Sequence, residues 1–399
     1  MRALHRIISL FVVIVTLYLG VTGTLIQLID LQTLFRHARA TDPEMMAIRE
    51  DKDGPDDYAV LETAEYTARP LPATVDLQSG LSQLIGVART TWGNAPLDYA
   101  EVRMAGSNVV GRLQSGKQLL VYEFATGKTQ LERELRRGNG PHSTRNEIKG
   151  LHRMTSLGNW ALWINPIVGV AMGVFVVTGV VMYWRLLAAR RRIRRGQWFW
   201  SAGGWWRTLH RWVSIVASAF ILLIALSGTW LAVESLVFGY YLVQHLPAPG
   251  QPMVRESGVT PLQETRLSPM LSTTLAAYKA AFADQPLKVV RLRVYGGMPQ
   301  GVVIIGLGDD TQQVVFNAGT GRRVSLTEPG YPPTGFPFGW QAHQTAKQIH
   351  RGSYIGLSGR WMDLLGGLAI IYLSVSGAVM YVDMWNRRRR GGRPALLWT

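Results

Sequence analysis

The sequence predicts an α-helical membrane protein with four transmembrane helices in two tandem parallel repeats, together with two α+β domains outside the membrane. Three observations predict this fold class: four long uncharged apolar runs, an uneven distribution of arginine, and similar residues at fixed spacings in the two halves of the chain. A mean hydropathy of +0.08 fits apolar helices that are combined with polar segments of similar total length.

The four apolar runs are long enough to cross a bilayer, whose core of roughly 30 Å needs about 20 residues in a helix. They are Ile7–Ile29, Trp160–Trp184, Trp212–Val233 and Leu364–Val382. The first run could be a cleaved signal peptide, because Arg2 and Arg6 precede it. It is longer than the apolar core of a typical signal, however, and no Ala-x-Ala site follows it promptly. We therefore expect a retained helix.

Arginine predicts the orientation of the chain. The net charge is +16. Residues 185–211, between the second and third spans, contain many arginines and no acidic residue. Four more arginines, Arg387–Arg390, follow the last span. By the positive-inside rule both termini and the middle loop are cytoplasmic, and the segments 30–150 and 234–349 lie outside. The charge thus reflects topology and not nucleic-acid binding, although the arginines could also contact anionic lipid.

The absence of cysteine limits the chemistry that the chain can perform. With no cysteine in the sequence, disulfides, thiolate-held iron–sulfur clusters, thiol catalysis and covalently attached haem are excluded. Any redox cofactor must be held by histidine, methionine or oxygen ligands.

The repeat rests on two constant offsets. Residues of the first helix match those of the third at an offset of 205, and residues of the second match those of the fourth at 198. The matched pairs are His5 and His210, Arg6 and Arg211, Ser9 and Ser214, Gly23 and Gly228, Thr24 and Thr229, His152 and His350, Arg153 and Arg351, Gly169 and Gly367, Gly179 and Gly377, and Tyr183 and Tyr381. Parallel repeats predict a pseudo-two-fold axis along the membrane normal.

The duplicated histidines predict two cofactor sites. A two-fold axis would bring His5 towards His210 at the cytoplasmic end and His152 towards His350 at the outer end. Paired histidines on membrane helices are typical ligands of haem iron, so we expect two bis-histidine sites with one b-type haem in each. The alternative is that these histidines merely end helices at the membrane surface. His152 and His350 would lie in an outer turn or in a re-entrant helix.

Other residues are weaker candidates for the same sites. Haem propionates need cationic partners, and the neighbours of the histidines, Arg6, Arg153, Arg211 and Arg351, could supply them. Flanking charges of ordinary helix ends are the alternative. The glycines Gly23, Gly179, Gly228 and Gly377 would leave room for close helix approach or for a flat ring. Asp363, at the start of the last span, is a candidate partner for a proton or for Arg360.

Aromatic residues mark two further regions. A Pro/Gly-rich segment just before His343 holds Tyr331, Phe336, Phe338 and Trp340. These aromatic residues, together with His343, could contact a substrate near the outer site. For the aromatic residues we favour packing of a loop on the membrane surface. His343 could also be a substitute ligand or a propionate partner, and we favour a surface position for it. Trp198, Trp200, Trp205, Trp206 and Trp212 are typical of an interfacial belt. The remaining histidines, His37, His142 and His245, are expected in solvent.

Both outer segments show helical and strand-like patterns that predict a small antiparallel sheet. Helical character is expected at Leu61–Tyr66 and Leu275–Phe282, and strands at Ala100–Val110, Gln118–Phe124, Val289–Tyr295 and Gly301–Ile305. Turns are expected at 125–128 and 318–321. Asp42–Asp57, which is acidic, and Pro247–Ser268, which is rich in proline and glycine, are expected to be loops.

The Leu-His-Arg helix starts, the Ser/Thr-Gly pairs late in the spans, and the units ending in Tyr122–Gly127 and Phe316–Gly321 carry a resemblance. Over nearly its whole length the chain resembles PepSY-associated transmembrane proteins, which include iron-regulated inner-membrane proteins and ferric-siderophore reductases of the ferrioxamine type. The resemblance implies two PepSY-like periplasmic domains and one-electron reduction of a periplasmic ferric siderophore, of hydroxamate type, by electrons supplied through membrane haem.

Other functions remain open at this level. The chain could be a non-enzymatic PepSY protein that binds or inhibits peptidases, or a transport subunit for iron or siderophore. Transporters usually have broken helices or polar residues near the membrane centre, and the spans show little of either. No Gly-rich nucleotide fingerprint identifies an electron donor, so a quinol and a cytoplasmic reductase are both possible.

Overall fold

A computed structural model of the chain describes residues 2–53, 60–116, 118–133, 142–193, 197–201, 203–244, 259–325, 339–393 and 395–396. The chain divides into two compact units. The helical unit comprises Met1–Arg36, Ser143–Leu246 and Ala342–Thr399, and the sheet unit comprises His37–His142 and Pro247–Gln341.

Ten α-helices lie within the described residues. They are α1 (Arg2–Phe35), α2 (Pro43–Asp53), α3 (Thr63–Thr67), α4 (Leu77–Trp92), α5 (Thr144–His152), α6 (Ile164–Arg192), α7 (Trp205–Gln244), α8 (Glu264–Phe282), α9 (Trp340–His350) and α10 (Gly356–Arg390). Short 3-10 turns at Thr155–Leu157, Asn159–Trp163 and Ser353–Ile355 connect α5 to α6 and α9 to α10.

The four predicted spans are confirmed as helices long and apolar enough to cross a membrane. They run over His5–Phe35, Asn159–Arg192, Trp205–Val237 and Ser353–Arg390. Each is longer than its apolar run, because polar residues at both ends continue the helix. The chain is therefore a helical membrane protein that carries a β unit.

Glycine allows the spans to approach one another closely at two places. A methyl group on Gly367 of α10 would overlap the Thr24 hydroxyl of α1, and one on Gly169 of α6 would overlap the Thr229 hydroxyl of α7. Small residues at helix crossings let backbones approach, which is how helices associate in lipid. The helix pairs that approach most closely at these glycines are therefore α1 with α10 and α6 with α7. Their aliphatic contact includes Val168, Met172, Ile221, Ala225 and Ile370.

The sheet unit contains one antiparallel sheet. Its strands within the described residues are β1 (Tyr99–Ala105), β2 (Asn108–Ser115), β3 (Gln118–Glu123), β4 (Thr129–Arg133), β5 (Val259–Thr260), β6 (Leu287–Tyr295), β7 (Met298–Ile305), β8 (Gln312–Asn317) and β9 (Arg323–Val324). They lie in the order β4-β3-β2-β1-β6-β7-β8-β9, and β5 pairs with an end of β6.

The two outer segments, predicted to form a domain each, together form this single unit. Each contributes a helix followed by a four-stranded meander: α4 with β1–β4, and α8 with β6–β9. The meanders join where β1 pairs with β6, with Glu101 opposite Arg291. Pairing the two inner strands removes an exposed edge from each half, and this explains why the segments merge. The aliphatic core lies between this sheet and the helices α4 and α8.

Several local predictions were wrong in detail. The predicted strand Ala100–Val110 is two strands, because Gly106, with φ +61°, turns the chain between β1 and β2. The expected loop Asp42–Asp57 contains α2, whose start is capped by the Asp42 carboxylate accepting from the Glu44 amide at 2.9 Å. Asp followed by Pro is a helix-start signal. The expected loop Pro247–Ser268 includes the first turn of α8, whose Leu267 is buried in the core.

The tryptophans do not all form an interfacial belt. Trp198 and Trp205 are exposed, but Trp200 is only 6% exposed. The guanidinium groups of Arg190 and Arg211 lie 4.9 and 5.1 Å from the centroid of its ring. The ring of Tyr183 also stacks on it at 5.4 Å. This loop residue therefore fixes the segment between α6 and α7 to both helices.

Candidate functional site

The four duplicated histidines make the same contact, each with a hydroxyl group on a neighbouring helix of the helical unit. Nδ1 of His5 lies 2.9 Å from Oγ1 of Thr178. Nδ1 of His152 lies 2.8 Å from Oγ1 of Thr22. The helix α1 therefore carries one histidine that contacts α6 and one hydroxyl that is contacted by a histidine of α5.

The second half contains the equivalent pair of contacts. Nδ1 of His210 on α7 lies 2.7 Å from Oγ of Ser376 on α10. Nδ1 of His350 on α9 lies 3.4 Å from Oγ of Ser227 on α7, and 3.2 Å from the Ile224 carbonyl oxygen. The helix α7 therefore has the same double role as α1.

The backbone bonds of these hydroxyls bear on which ring nitrogen carries the proton. The hydroxyls of Thr22, Thr178 and Ser227 each lie within hydrogen-bond distance of the carbonyl four residues earlier, at 2.9, 2.7 and 2.7 Å. The hydroxyl of Ser376 lies 3.2 Å from the Leu373 carbonyl. A hydroxyl that gives its one proton to its own backbone accepts from the histidine, and Nδ1–H then donates; at His350 the Ile224 carbonyl also requires a donating Nδ1. In a neutral imidazole this leaves the lone pair on Nε2, the state that binds a metal.

Glycine follows each of the four hydroxyl residues and makes room for the imidazole. A methyl group on Gly228 would lie 2.8 Å from Cε1 of His350, and one on Gly23 would lie 3.3 Å from Cε1 of His152. At the other end the corresponding distances are 3.8 Å from Gly377 to His210 and 4.0 Å from Gly179 to His5. The Ser/Thr-Gly pair is therefore a seat for a histidine: the hydroxyl orients the ring, and glycine lets it approach the helix.

The structure brings His152 and His350 together. Their ring centroids are 6.3 Å apart and the ring planes are inclined at 40°. Each residue ends a short helix, α5 or α9, just before a span begins. Two imidazoles that bind one metal at about 2 Å through their nitrogens have ring centroids about 6 Å apart. The separation of this pair fits a metal between the rings.

At the other end of α1 and α7 lie His5 and His210, which contact α6 and α10 respectively. The ring of Phe175 lies against His5 at 5.3 Å, edge to face. This pair and the His152–His350 pair are separated along α1 by the 17 residues from His5 to Thr22, about 25 Å of helix.

The donor set fits haem better than a bare metal ion. Within the described residues no group of three or more His, Cys, Asp or Glu side chains could hold a metal ion. Each pair offers two imidazole nitrogens, which could supply both protein ligands of a haem iron. The residues that would hold such a group are His5 with His210, and His152 with His350.

The neighbouring arginines contact protein groups. Nη2 of Arg211 donates to the Trp200 carbonyl at 3.2 Å, and Nη2 of Arg153 donates to Oγ of Ser235 at 3.4 Å. Nε of Arg351 donates to Oγ of Ser353 at 3.0 Å. These bonds show how the side chains are held. A role towards propionates, including that of Arg6, stays a prediction.

Buried acids at the same end as His152 were largely missed from the sequence. Asp30 is fully buried and accepts from Nε of Arg145 and Nη1 of Arg360, both at 2.5 Å. Arg360 therefore bonds Asp30, whereas the amide of Gln27 donates to Asp363. The charged residues just beyond the apolar runs gave the only signal for this cluster.

His343 is half-buried, and its Nδ1 lies 2.7 Å from Oε2 of Glu234 on α7. This contact differs from the surface position that we favoured for His343. Of the other predicted substrate residues, Phe336 and Phe338 lie outside the described residues, as do Tyr331 and His245, and only the backbone of Trp340 is described.

Comparison with known proteins identifies the family. The family model of the PepSY-associated TM region matches residues 2–383. The chain belongs to this family. Comparison with curated proteins found no match. The four histidines and their Ser/Thr-Gly partners all lie within the part of this PepSY-associated protein that the family model matches.

Proposed function

We propose that this PepSY-associated protein is a dihaem reductase of the bacterial inner membrane. It would pass electrons across the membrane and reduce a ferric siderophore on the periplasmic side, with release of Fe(II). The observation that carries the proposal is that Nδ1 of each of the four histidines lies within hydrogen-bond distance of a hydroxyl on a neighbouring helix. This directs four Nε2 lone pairs to metal binding.

The constant offsets between the two halves of the sequence support the proposal. The hydroxyl residues recur at the same two offsets as the histidines, with Thr22 and Ser227 separated by 205 and Thr178 and Ser376 by 198. The close glycine contacts of α1 with α10 and of α6 with α7 recur in the same way. Offsets that repeat histidine, hydroxyl and glycine together favour two equivalent cofactor sites, as expected of two tandem parallel repeats.

In such a site the haem supplies one-electron transfer, and the chain supplies ligands, orientation and a dry environment. Hydroxamate oxygens hold the hard Fe(III) ion far better than Fe(II). One electron therefore loosens the iron without breaking a bond of the chelator. The arginine-rich loop and tail would face the cytoplasm, so the His152–His350 site would lie at the periplasmic end, where a siderophore complex arrives.

Purified protein tests the proposal directly. A reduced-minus-oxidised spectrum of protein made in haem-replete cells should show b-type haem, with two haems per chain by pyridine haemochrome. The dithionite-reduced protein, freed of excess reductant, should be reoxidised by ferrioxamine while a ferrous chelator such as ferrozine develops colour. Absence of haem would overturn the proposal. Haem without ferrous iron formation would leave an electron carrier with another acceptor and would overturn the siderophore step.

A further inference from the structure

A histidine–carboxylate pair lies beyond the outer histidine site in the second half of the helical unit. Nδ1 of His343 on α9 is 2.7 Å from Oε2 of Glu234 on α7, and Glu234 is only 2% exposed. Its other oxygen, Oε1, is buried with no hydrogen-bond partner among the described residues. An acid held at the end of a membrane span is costly, and its retention points to function.

The first half has a related link in the same place. There α5 contacts α1 through His152 with Thr22, and again seven residues earlier through Arg145 with Asp30. In the second half α9 contacts α7 through His350 with Ser227. The second contact, again seven residues earlier, is His343 with Glu234. Both halves therefore link an equivalent pair of helices, α5 with α1 and α9 with α7, through a basic side chain and a carboxylate two turns beyond the histidine contact.

The two links differ in one chemical property. Arg145 keeps its proton at every physiological pH, and Asp30 is further neutralised by Arg360. A histidine can gain or lose a proton between about pH 5 and 8. Glu234 pairs with His343, so of these two links the one in the second half is the one whose charge can change near neutral pH.

We propose that the His343–Glu234 pair is a proton-exchange site, which takes up one proton when one electron arrives at the His152–His350 site. The inference rests on the proposed function, because it needs a redox cofactor between those histidines. His343 precedes His350 by seven residues of one helix, about 10 Å. At that separation inside a protein, a negative charge gained at the outer site stabilises a proton on the imidazole.

Other charged or titratable groups lie on the elements near the pair. On α9 itself these are Lys347 and His350. Arg153 donates to Ser235, the neighbour of Glu234 on α7. On α10 Arg360 is bonded to Asp30, and Asp363, which accepts from the neutral amide of Gln27, is a second acid whose charge can change. The step is balanced: one electron reduces the outer site, one proton comes from solvent water, Glu234 stays an anion, and His343 becomes its cationic partner.

The His343→Arg variant tests the inference, because it rebuilds in the second half the permanent link that Arg145 makes in the first. Full-length protein with both haems would be titrated by spectroelectrochemistry between about pH 5.5 and 8. In the wild type the reduction equilibrium of one haem should shift by up to about tenfold per pH unit, towards the oxidised form as pH rises. His343→Arg should remove this dependence. The control is His37→Asn, at an exposed histidine of the sheet unit whose positive φ asparagine tolerates.

The outcomes separate the inference from the proposed function. Protein without two haems would overturn the proposed function. Two haems with a pH-independent wild type, or with the dependence kept in His343→Arg, would overturn the proton-exchange site and leave the reductase proposal intact. If His343→Arg does not fold, His343→Gln and Glu234→Gln keep a hydrogen bond and remove the titratable partner. Both should lose the pH dependence, and its persistence in either would also overturn the inference.

Discussion

The imidazole rings of His152 and His350 lie with their centroids 6.3 Å apart, although the two residues belong to different helices and are far apart in sequence. Hydroxyl groups on α1 and α7 contact the two rings, and the glycine after each hydroxyl residue leaves space for the ring. Neighbouring groups therefore hold both rings in place, an arrangement that is typical of ligating histidines.

Changing one histidine of a pair should remove one cofactor and spare the other. His152→Ala and His350→Ala should each lower the haem content from two to one per chain, and so should His5→Ala and His210→Ala. The double variant His152→Ala/His350→Ala should keep one haem, whereas His152→Ala/His210→Ala should keep none. Pyridine haemochrome measures the content. Two haems in any single variant would contradict the ligand assignment.

The orienting hydroxyls should matter less than the ligands but measurably. Thr22→Val keeps the shape of the side chain and leaves the His152 Nδ1–H buried without its acceptor. Loss of such a partner typically weakens metal binding 10- to 100-fold. We expect haem loss to an apo-globin scavenger to be faster by about that factor. Thr22→Ser retains the hydroxyl and is the matched control, and equal loss from both variants would show that Thr22 acts only through packing.

The glycine seats predict a graded series of effects. A methyl group on Gly228 would approach His350 to 2.8 Å, on Gly23 it would approach His152 to 3.3 Å, and on Gly179 it would stay 4.0 Å from His5. Alanine should therefore disturb haem binding most at Gly228, less at Gly23 and little at Gly179. The haem content and the position of the absorption bands report the effect. A series in the reverse order would argue that the glycines serve helix packing and not the imidazoles.

The sequence allowed the spans and the four histidines to be predicted, because apolar length and polar repeats at constant offsets are local patterns. The sequence also indicated that Gly23 and Gly228 leave room for close approach of a helix or a ring. It could not show that the neighbouring Thr22 and Ser227 accept from histidines, since hydroxyls in apolar helices usually bond their own backbone. These two do so as well, and the contact with a second helix exists only after packing.

Long-range pairing explains the other differences. The merger of the two outer segments depends on β1 meeting β6, which are separated by more than 180 residues. The residue pattern within either segment cannot predict that β1 pairs with β6. The pairing of Asp30 with both Arg145 and Arg360 is equally non-local. The start of α2, by contrast, was predictable from Asp42 and Pro43 and was missed because the acidic composition favoured a loop.

Acid titration of Asp98 in the sheet unit should change stability in a defined direction. Burial raises the pKa of this carboxyl, and the Gly116 amide bond at 2.8 Å offsets this only in part. Just above the ordinary value of about 4, the unfolded chain has lost the proton that the folded chain keeps, so stability falls as pH rises through this window. Asp98→Asn should raise the Tm at pH 7, with a gain that disappears below about pH 4. An equal gain at both pH values would contradict this cause.

Removing the fully buried carboxylate of Asp30 should be among the most damaging single changes in the helical unit. Asp30→Asn would leave the guanidinium groups of Arg145 and Arg360 buried without their anion, and breaking a buried ion pair in this way typically costs about 3–5 kcal/mol. Unfolding in detergent, followed by circular dichroism, measures the loss. The matched control is Asp383→Asn, at a half-exposed acid bonded to Arg387, where exposed pairs contribute about 0–1 kcal/mol. Equal effects of the two variants would show that the Asp30 cluster does not hold the helices together.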